Sequence, residues 1–233
     1  MARFSSIGTA KRTKSVISKS HRFIYLHVPK TGGNSIQTAL LPVSEDSISR
    51  SRHQDGVERF GISGPRTPRK HARLSDYTTR LAEPLDSYRV VISVRHPFPR
   101  ALSMYFSPGR WLKETTPGTW ETQETMWNES DFMSLIQDRQ KLQPIVDYLK
   151  LEGIPRVPDI TLRHETLHDD YQMMCRKLEL PNKVMSLPKV NQSFVSRSAL
   201  NRLLESKNLR DATEDVFDED MSYFEYDTFS VKG

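Results

Sequence analysis

The chain has 233 residues, of which 36% are hydrophobic and 27% charged, with a mean hydropathy of -0.60: enough for one domain with a real core. No apolar run approaches the roughly 18 residues of a membrane span, and the single cysteine, Cys175, excludes an intramolecular disulfide and argues against a structural zinc site. The net charge of +5 is carried by the first 22 residues, where Arg3, Lys11, Arg12, Lys14, Lys19 and Arg22 stand without any acid, so a generic nucleic-acid surface gains little support.

Residues 1–22 read as a basic, Ser/Thr-rich, disordered leader, and 23–233 as one domain. The leader has no apolar segment of the kind a secretory signal requires, which leaves a plain arm or a transit peptide. A lone thiol fits a reducing compartment, so the cytoplasm is the expected location and an organelle the alternative.

Phe23 to Val28 is a short apolar, aromatic and β-branched run ending at Pro29, the pattern of a buried strand. Lys30-Thr31-Gly32-Gly33-Asn34-Ser35 follows, then a helical stretch from Ile36 to Leu41 stopped by Pro42. A glycine pair between strand and helix lets the backbone approach an anion, while the helix N-terminus supplies N–H groups and a favourable dipole. Lys30, Thr31, Asn34 and Ser35 add a cation and donors at the same point. This is not a Walker loop, whose lysine follows the second glycine.

Residues 43–70 are rich in Ser, Arg, Gly and Pro without a clean period and predict a long loop. From Arg50 to Arg73 seven basic residues face only Asp55 and Glu58, which suits either an anionic acceptor or a solvated loop. Tyr88 to Val94 predicts a second strand, and Pro97 the first turn of a helix through about Tyr105. Ser107 to Gly118 reads as a loop, 121–137 and 141–150 as helices, Asp159 to Arg163 as a strand, and Asp169 to Leu180 as a helix closed by Pro181. Alternation of strands and helices argues for an α/β fold, a parallel sheet flanked by helices in three layers.

His27-Val28-Pro29-Lys30-Thr31-Gly32-Gly33-Asn34-Ser35 closely resembles the 5′-phosphosulfate loop of sulfotransferases that use 3′-phosphoadenosine 5′-phosphosulfate (PAPS), particularly their carbohydrate O-sulfotransferase branch. Val94-Arg95-His96-Pro97-Phe98-Pro99-Arg100-Ala101-Leu102-Ser103-Met104-Tyr105 looks like the same family's 3′-phosphate motif, in which an arginine and a serine eight residues later hold that phosphate. Weaker echoes are Lys70-His71-Ala72, Gln143 to Leu149, Leu162 to Leu167, Lys189 to Ser193 and Phe217 to Asp227. Asn34 stands where the family often has threonine or a small residue.

The resemblance implies a P-loop-like sulfotransferase fold and sulfuryl transfer from PAPS, leaving adenosine 3′,5′-bisphosphate, to an acceptor hydroxyl on a carbohydrate, without a metal. It assigns the cofactor to Pro29, Lys30, Thr31, Gly32, Gly33, Asn34, Ser35, Arg95 and Ser103, with Lys30 stabilising the leaving phosphate. A neutral histidine suits the task of taking the acceptor's proton. His71 is the expected base, with Glu165, His27 and His164 as alternatives and a surface histidine as the plain reading. Arg100 ranks below Arg95 as a phosphate ligand, because an arginine on a helix is more often an ion-pair partner. His96 reads as a packing or hydrogen-bonding residue, and Trp111, Trp120 and Trp127 as core or as a border of the acceptor site. The competing functions are a non-catalytic nucleotide or polyanion binder and a P-loop phosphotransferase, the latter lacking its Walker lysine and a Mg²⁺ carboxylate.

Overall fold

A computed structural model describes residues 16–45, 71–78, 81, 83–107, 112–116, 119–122, 126–188 and 197–230. Its centre is a four-stranded sheet in which β2 (Phe23–Leu26), β3 (Arg89–Val94) and β8 (Ile160–Arg163) run parallel, with β1 (Val16–Ser18) added antiparallel to β2 at one edge. Strands buried on both faces read as continuous apolar runs, and Phe-Ile-Tyr-Leu of β2 is of this kind.

Alternate side chains of these strands feed two cores. Phe23, Tyr25, Val91 and Leu162 pack with α1 (Gly33–Leu40) and α5 (Leu167–Lys177) through Ile36, Leu40, Tyr171 and Met174. On the other face Ile24, Leu26, Val90, Ile92 and Val94 meet Leu74 and Tyr77 of α2 (Leu74–Thr78), Ile145 and Val146, and Phe224. A third core joins α3 (Pro97–Tyr105), α4 (Glu129–Gln137) and α7 (Lys207–Val216) through Phe98, Leu102, Tyr105, Phe132, Ile136 and Leu209. The expected three-layer α/β architecture with a parallel-rich sheet is what the chain forms.

Several boundaries differ from the sequence expectation. The leader assigned to 1–22 overruns the fold: Val16–Ser18 are buried and pair with Phe23–Tyr25, because three small or β-branched residues complete an open sheet edge beside β2. The loop expected over 107–118 contains β4 (Leu112–Thr116), which pairs with β5 (Thr119–Thr122), whose last two residues stand where a helix is expected to begin. The helix expected over 141–150 is instead a bend, one 3₁₀ turn at Val146–Tyr148 and β6 (Lys150–Leu151), paired with β7 (Ile154–Pro155). The N–H groups of Ile145 and Val146 go to the Asp220 carboxylate at 2.7 and 2.9 Å, a tertiary partner that no local pattern announces. The segment assigned to a late cofactor-side loop, 189–193, and most of the 43–70 loop lie outside the described residues, as does Lys70.

Two short helices follow α5: α6 (Arg197–Leu204) before α7, and α8 (Asp218–Tyr223) after it. The segment after α8 returns across the C-terminal end of β3. There Arg163 donates to Phe224 O at 2.6 Å, and His96 Nε2 donates to Asp227 O at 3.1 Å.

Candidate functional site

The C-terminal ends of parallel strands collect the loops that can meet one ligand. Here the three loops are the turn after β2, the start of α3 after β3, and the 3₁₀ turn His164–Thr166 after β8. The register pairs Val94 with Arg163, so the next residues, Arg95 and His164, emerge side by side.

The β2 turn has an unusual backbone. Lys30 lies at φ 69°, a left-handed conformation that non-glycine residues rarely hold, and Gly32 caps α1 at φ 85°. Both glycines also make room. A Cβ on Gly32 would come within 2.8 Å of Leu167 Cδ2 and 3.3 Å of His164 Cδ2, and one on Gly33 would fall inside the His27 imidazole. Ser35 N–H closes the turn on Gly32 O at 3.1 Å.

The described cradle residues divide into inward and outward parts. Thr31 is fully buried: its hydroxyl donates to Val28 O at 2.9 Å and lies 2.6 Å from Ser93 Oγ, which is in turn 2.7 Å from Tyr25 OH. With one proton per hydroxyl the chain runs Tyr25 to Ser93 to Thr31 to Val28 O, and burial pushes the Tyr25 phenol upward, which holds that order. The Thr31 hydroxyl proton is thus directed to Val28 O, inward from the turn. Lys30 Nζ reaches Ser107 Oγ at the end of α3, 3.4 Å away. Asn34 keeps a buried Oδ1 with no hydrogen-bond partner.

Arg95 NH1 donates to Lys30 O at 3.4 Å, which brings the two predicted cationic residues to one place. Burial lowers the Arg95 guanidinium to about 10, with Glu165 pulling the other way, so it remains a cation at neutral pH. Ser103 is half-buried on α3, and no hydrogen bond joins it to Arg95.

Arg100 is turned inward, 1% exposed. Its Nε donates to Pro29 O at 3.2 Å, its NH2 to Gln143 O at 2.8 Å, and its NH1 lies 3.8 Å from Asp220 Oδ2. It is neither a phosphate ligand nor a surface ion-pair partner; it is a strut beneath the cradle. His96 caps α3 by accepting from Phe98 N–H at Nδ1, 3.2 Å, a hydrogen-bonding role. Its backbone N–H goes to Glu165 Oε1 at 2.9 Å, while Tyr226 OH donates to Glu165 Oε2 at 3.3 Å.

His71 lies against the start of the same turn. Its Nδ1 is 2.8 Å from His27 O, and the two imidazoles meet edge to face with centroids 4.7 Å apart. A carbonyl only accepts, so Nδ1 carries the proton and the neutral ring holds its lone pair on Nε2. His27 Nδ1 in turn meets Gln37 Oε1 at 3.2 Å. Trp127 packs with Tyr105 and Phe132 in the third core, at centroid distances of 5.0 and 5.3 Å. Trp111 lies outside the described residues, as does the Trp120 side chain.

Sequence reasoning missed the inward role of Arg100, its partner Asp220, and the placement of His164 beside Gly32 and Arg95. The one available signal for His164 was its position just past a parallel strand. Among the described residues no group of three His, Cys, Asp or Glu side chains is gathered as a metal site, and no helix is long and apolar enough to cross a membrane.

What the arrangement can do is hold an extended polyanion, one end on the α1 N-terminus with Lys30, the other at Arg95, with an imidazole lone pair near the cradle. Comparison with known proteins gives one match: the model of the sulfotransferase family covers residues 13–227. No curated protein and no solved structure matches the chain.

Proposed function

The chain belongs to the sulfotransferase family, and from that premise we propose that it transfers the sulfuryl group of PAPS to a carbohydrate hydroxyl, with His71 as the base. The observation that carries the reading is the 3.4 Å link from Arg95 to the Lys30 carbonyl, which puts a cationic cradle and a second cationic fork at adjacent strand ends, where one bisphosphorylated nucleotide can span them.

In this reading the acceptor oxygen attacks sulfur in line as the bond from sulfur to the 5′-phosphate oxygen breaks. Negative charge grows on that oxygen, and the Lys30 ammonium and the N–H groups opening α1 stabilise it. The acceptor's proton passes to His71 Nε2, the ring position its hydrogen bond to His27 O leaves unprotonated. Arg95, with Ser103 on the neighbouring helix, holds the 3′-phosphate, and Gly32, Gly33, Asn34 and Ser35 line the 5′ end. The carbohydrate acceptor rests on the resemblance of residues 27–35 to that branch.

Calorimetry with adenosine 3′,5′-bisphosphate and with adenosine 5′-monophosphate tests the nucleotide assignment. Arg95→Ala is expected to weaken the bisphosphate by about 10- to 100-fold, the loss of a charge-assisted pair of about 1.5–3 kcal/mol, and the monophosphate little. Equal losses for both remove the assignment. Labelled PAPS screened against glycans, lipids and phenols tests the rest: transfer to phenols alone removes the carbohydrate reading, and binding without any transfer leaves a nucleotide-binding module.

A further inference from the structure

His164 is the least explained polar group at the site. Its ring packs against the N-cap of α1, with Cδ2 3.3 Å from where a Gly32 Cβ would stand, and it emerges next to Arg95 on the neighbouring strand. It is half-buried and makes no hydrogen bond to any described residue. Yet its ring nitrogens are not among the fully enclosed unpartnered atoms, a set that among the described residues holds only Asn34 Oδ1, so they keep a path to solvent or ligand. An imidazole is thus wedged between the 5′ and 3′ ends of the nucleotide path with its donor and acceptor uncommitted.

We infer that His164 belongs to the nucleotide site and takes up a proton when an adenosine bisphosphate seats between Gly32 and Arg95, so that nucleotide affinity is coupled to pH through this one side chain. This rests on the nucleotide reading proposed above and extends it to a residue which that reading leaves idle.

The physical argument is a reversal of field. Without nucleotide, burial first and the Arg95 charge second hold the imidazole down at about 4. The charged and titratable groups on the elements around it are Lys30 and His27 by the cradle, and Arg95 and His96 at the end of β3. Arg163 and Glu165 flank it on its own segment, His168, Asp169 and Asp170 stand on α5, and Tyr226 on the returning C-terminal segment. Of these, Arg95 is the one whose charge bears on His164. Bound phosphates neutralise Arg95 and bring negative charge within reach of the ring, which turns repulsion of a proton into attraction. The proton comes from solvent, and His164 goes from neutral to imidazolium while the nucleotide's phosphates stay ionised.

The test measures His164 directly in the wild-type protein by NMR titration of its imidazole, the signal assigned by its loss in His164→Asn, with and without adenosine 3′,5′-bisphosphate. The expected result is a rise on binding. If binding restores the ordinary histidine value, affinity at pH 5 gains about thirtyfold over pH 8 from this residue, because tighter proton binding in the complex is matched by tighter nucleotide binding to the protonated protein. The phosphate's own ionisation at about 6 acts in the opposite sense. The comparison is therefore between wild type and His164→Asn, both followed by calorimetry in buffers of low and high ionisation enthalpy. Equal proton uptake by the two proteins, or an unmoved His164 titration, overturns the inference while the nucleotide reading stands. Failure of wild type to bind the bisphosphate at any pH overturns both.

Discussion

Arg100→Met tests whether the cradle is held from beneath. Methionine keeps the apolar stem, so little cavity opens, but three interactions end: the donations to Pro29 O and Gln143 O and the charge opposite Asp220, which is fully buried. Breaking a buried ion pair by removing one partner costs about 3–5 kcal/mol, because the other charge is left uncompensated. At about 2–4 °C per kcal/mol for a domain of this size, that is a fall in Tm on the order of 10 °C. Pro29 O also anchors the residue before Lys30, whose left-handed backbone, a strain of about 1–3 kcal/mol, persists only while its surroundings hold it. Affinity for adenosine 3′,5′-bisphosphate is therefore expected to fall too, measured on protein still folded below its Tm. Urea unfolding of Arg100→Met, Asp220→Asn and the double variant supplies the control. A coupling of about 1 kcal/mol or more is expected, since the pair shares one buried charge balance. A loss below about 1 kcal/mol in the single variant, or strict additivity in the double, refutes the strut.

Lys30→Ala is expected to lower the rate of labelled sulfate transfer by about 100-fold or more, the scale of removing one transition-state donor, and His71→Ala to do so with near-normal bisphosphate affinity. Unchanged turnover in His71→Ala moves the base elsewhere. Gly33→Ala drives a methyl into the His27 ring and is expected to destabilise by at least about 1–3 kcal/mol in urea unfolding, with partial rescue by His27→Ala; a neutral Gly33→Ala contradicts the packing. Burial and the Arg95 charge take His164 from 6.5 to about 4 in the folded chain, so the unfolded chain binds the extra proton and stability drops as pH falls through that window. The loss is on the order of 3 kcal/mol by about pH 4, and His164→Asn should remove most of it; equal acid sensitivity in the two proteins contradicts this.

Legibility varied with the range of the forces involved. The strand, turn and helix from Phe23 to Leu40 were readable because each step is local: an apolar run, a proline, two glycines, then a helical period. The pair β3 and α3 was equally plain, with Pro97 at the first helical turn. The non-helical 141–150 segment was not, because its backbone partner lies in another element, Asp220 for Ile145 and Val146; the β4–β5 hairpin pairs locally, from Leu112 with Thr122 to Thr116 with Thr119, and its Lys-Glu-Thr-Thr and Thr-Trp-Glu-Thr runs carry no apolar strand pattern. Thr31 and Arg100 were given outward roles from their residue types, and both face inward. Their alternatives, a hydroxyl relay to Ser93 and a strut to Asp220, need residues 62 and 120 positions away.

By itself the sequence determined the α/β alternation, the strand–glycine turn–helix unit and the lysine that stands in it, all set by backbone preferences and short spacings that act over a few neighbouring residues. Only tertiary packing decided which polar groups at that turn are buried, that His71 Nδ1 meets His27 O, and that His164 stands between Gly32 and Arg95. Burial and hydrogen-bond satisfaction are properties of the assembled surface, and a side chain's charge state follows from neighbours that only the closed sheet brings within reach.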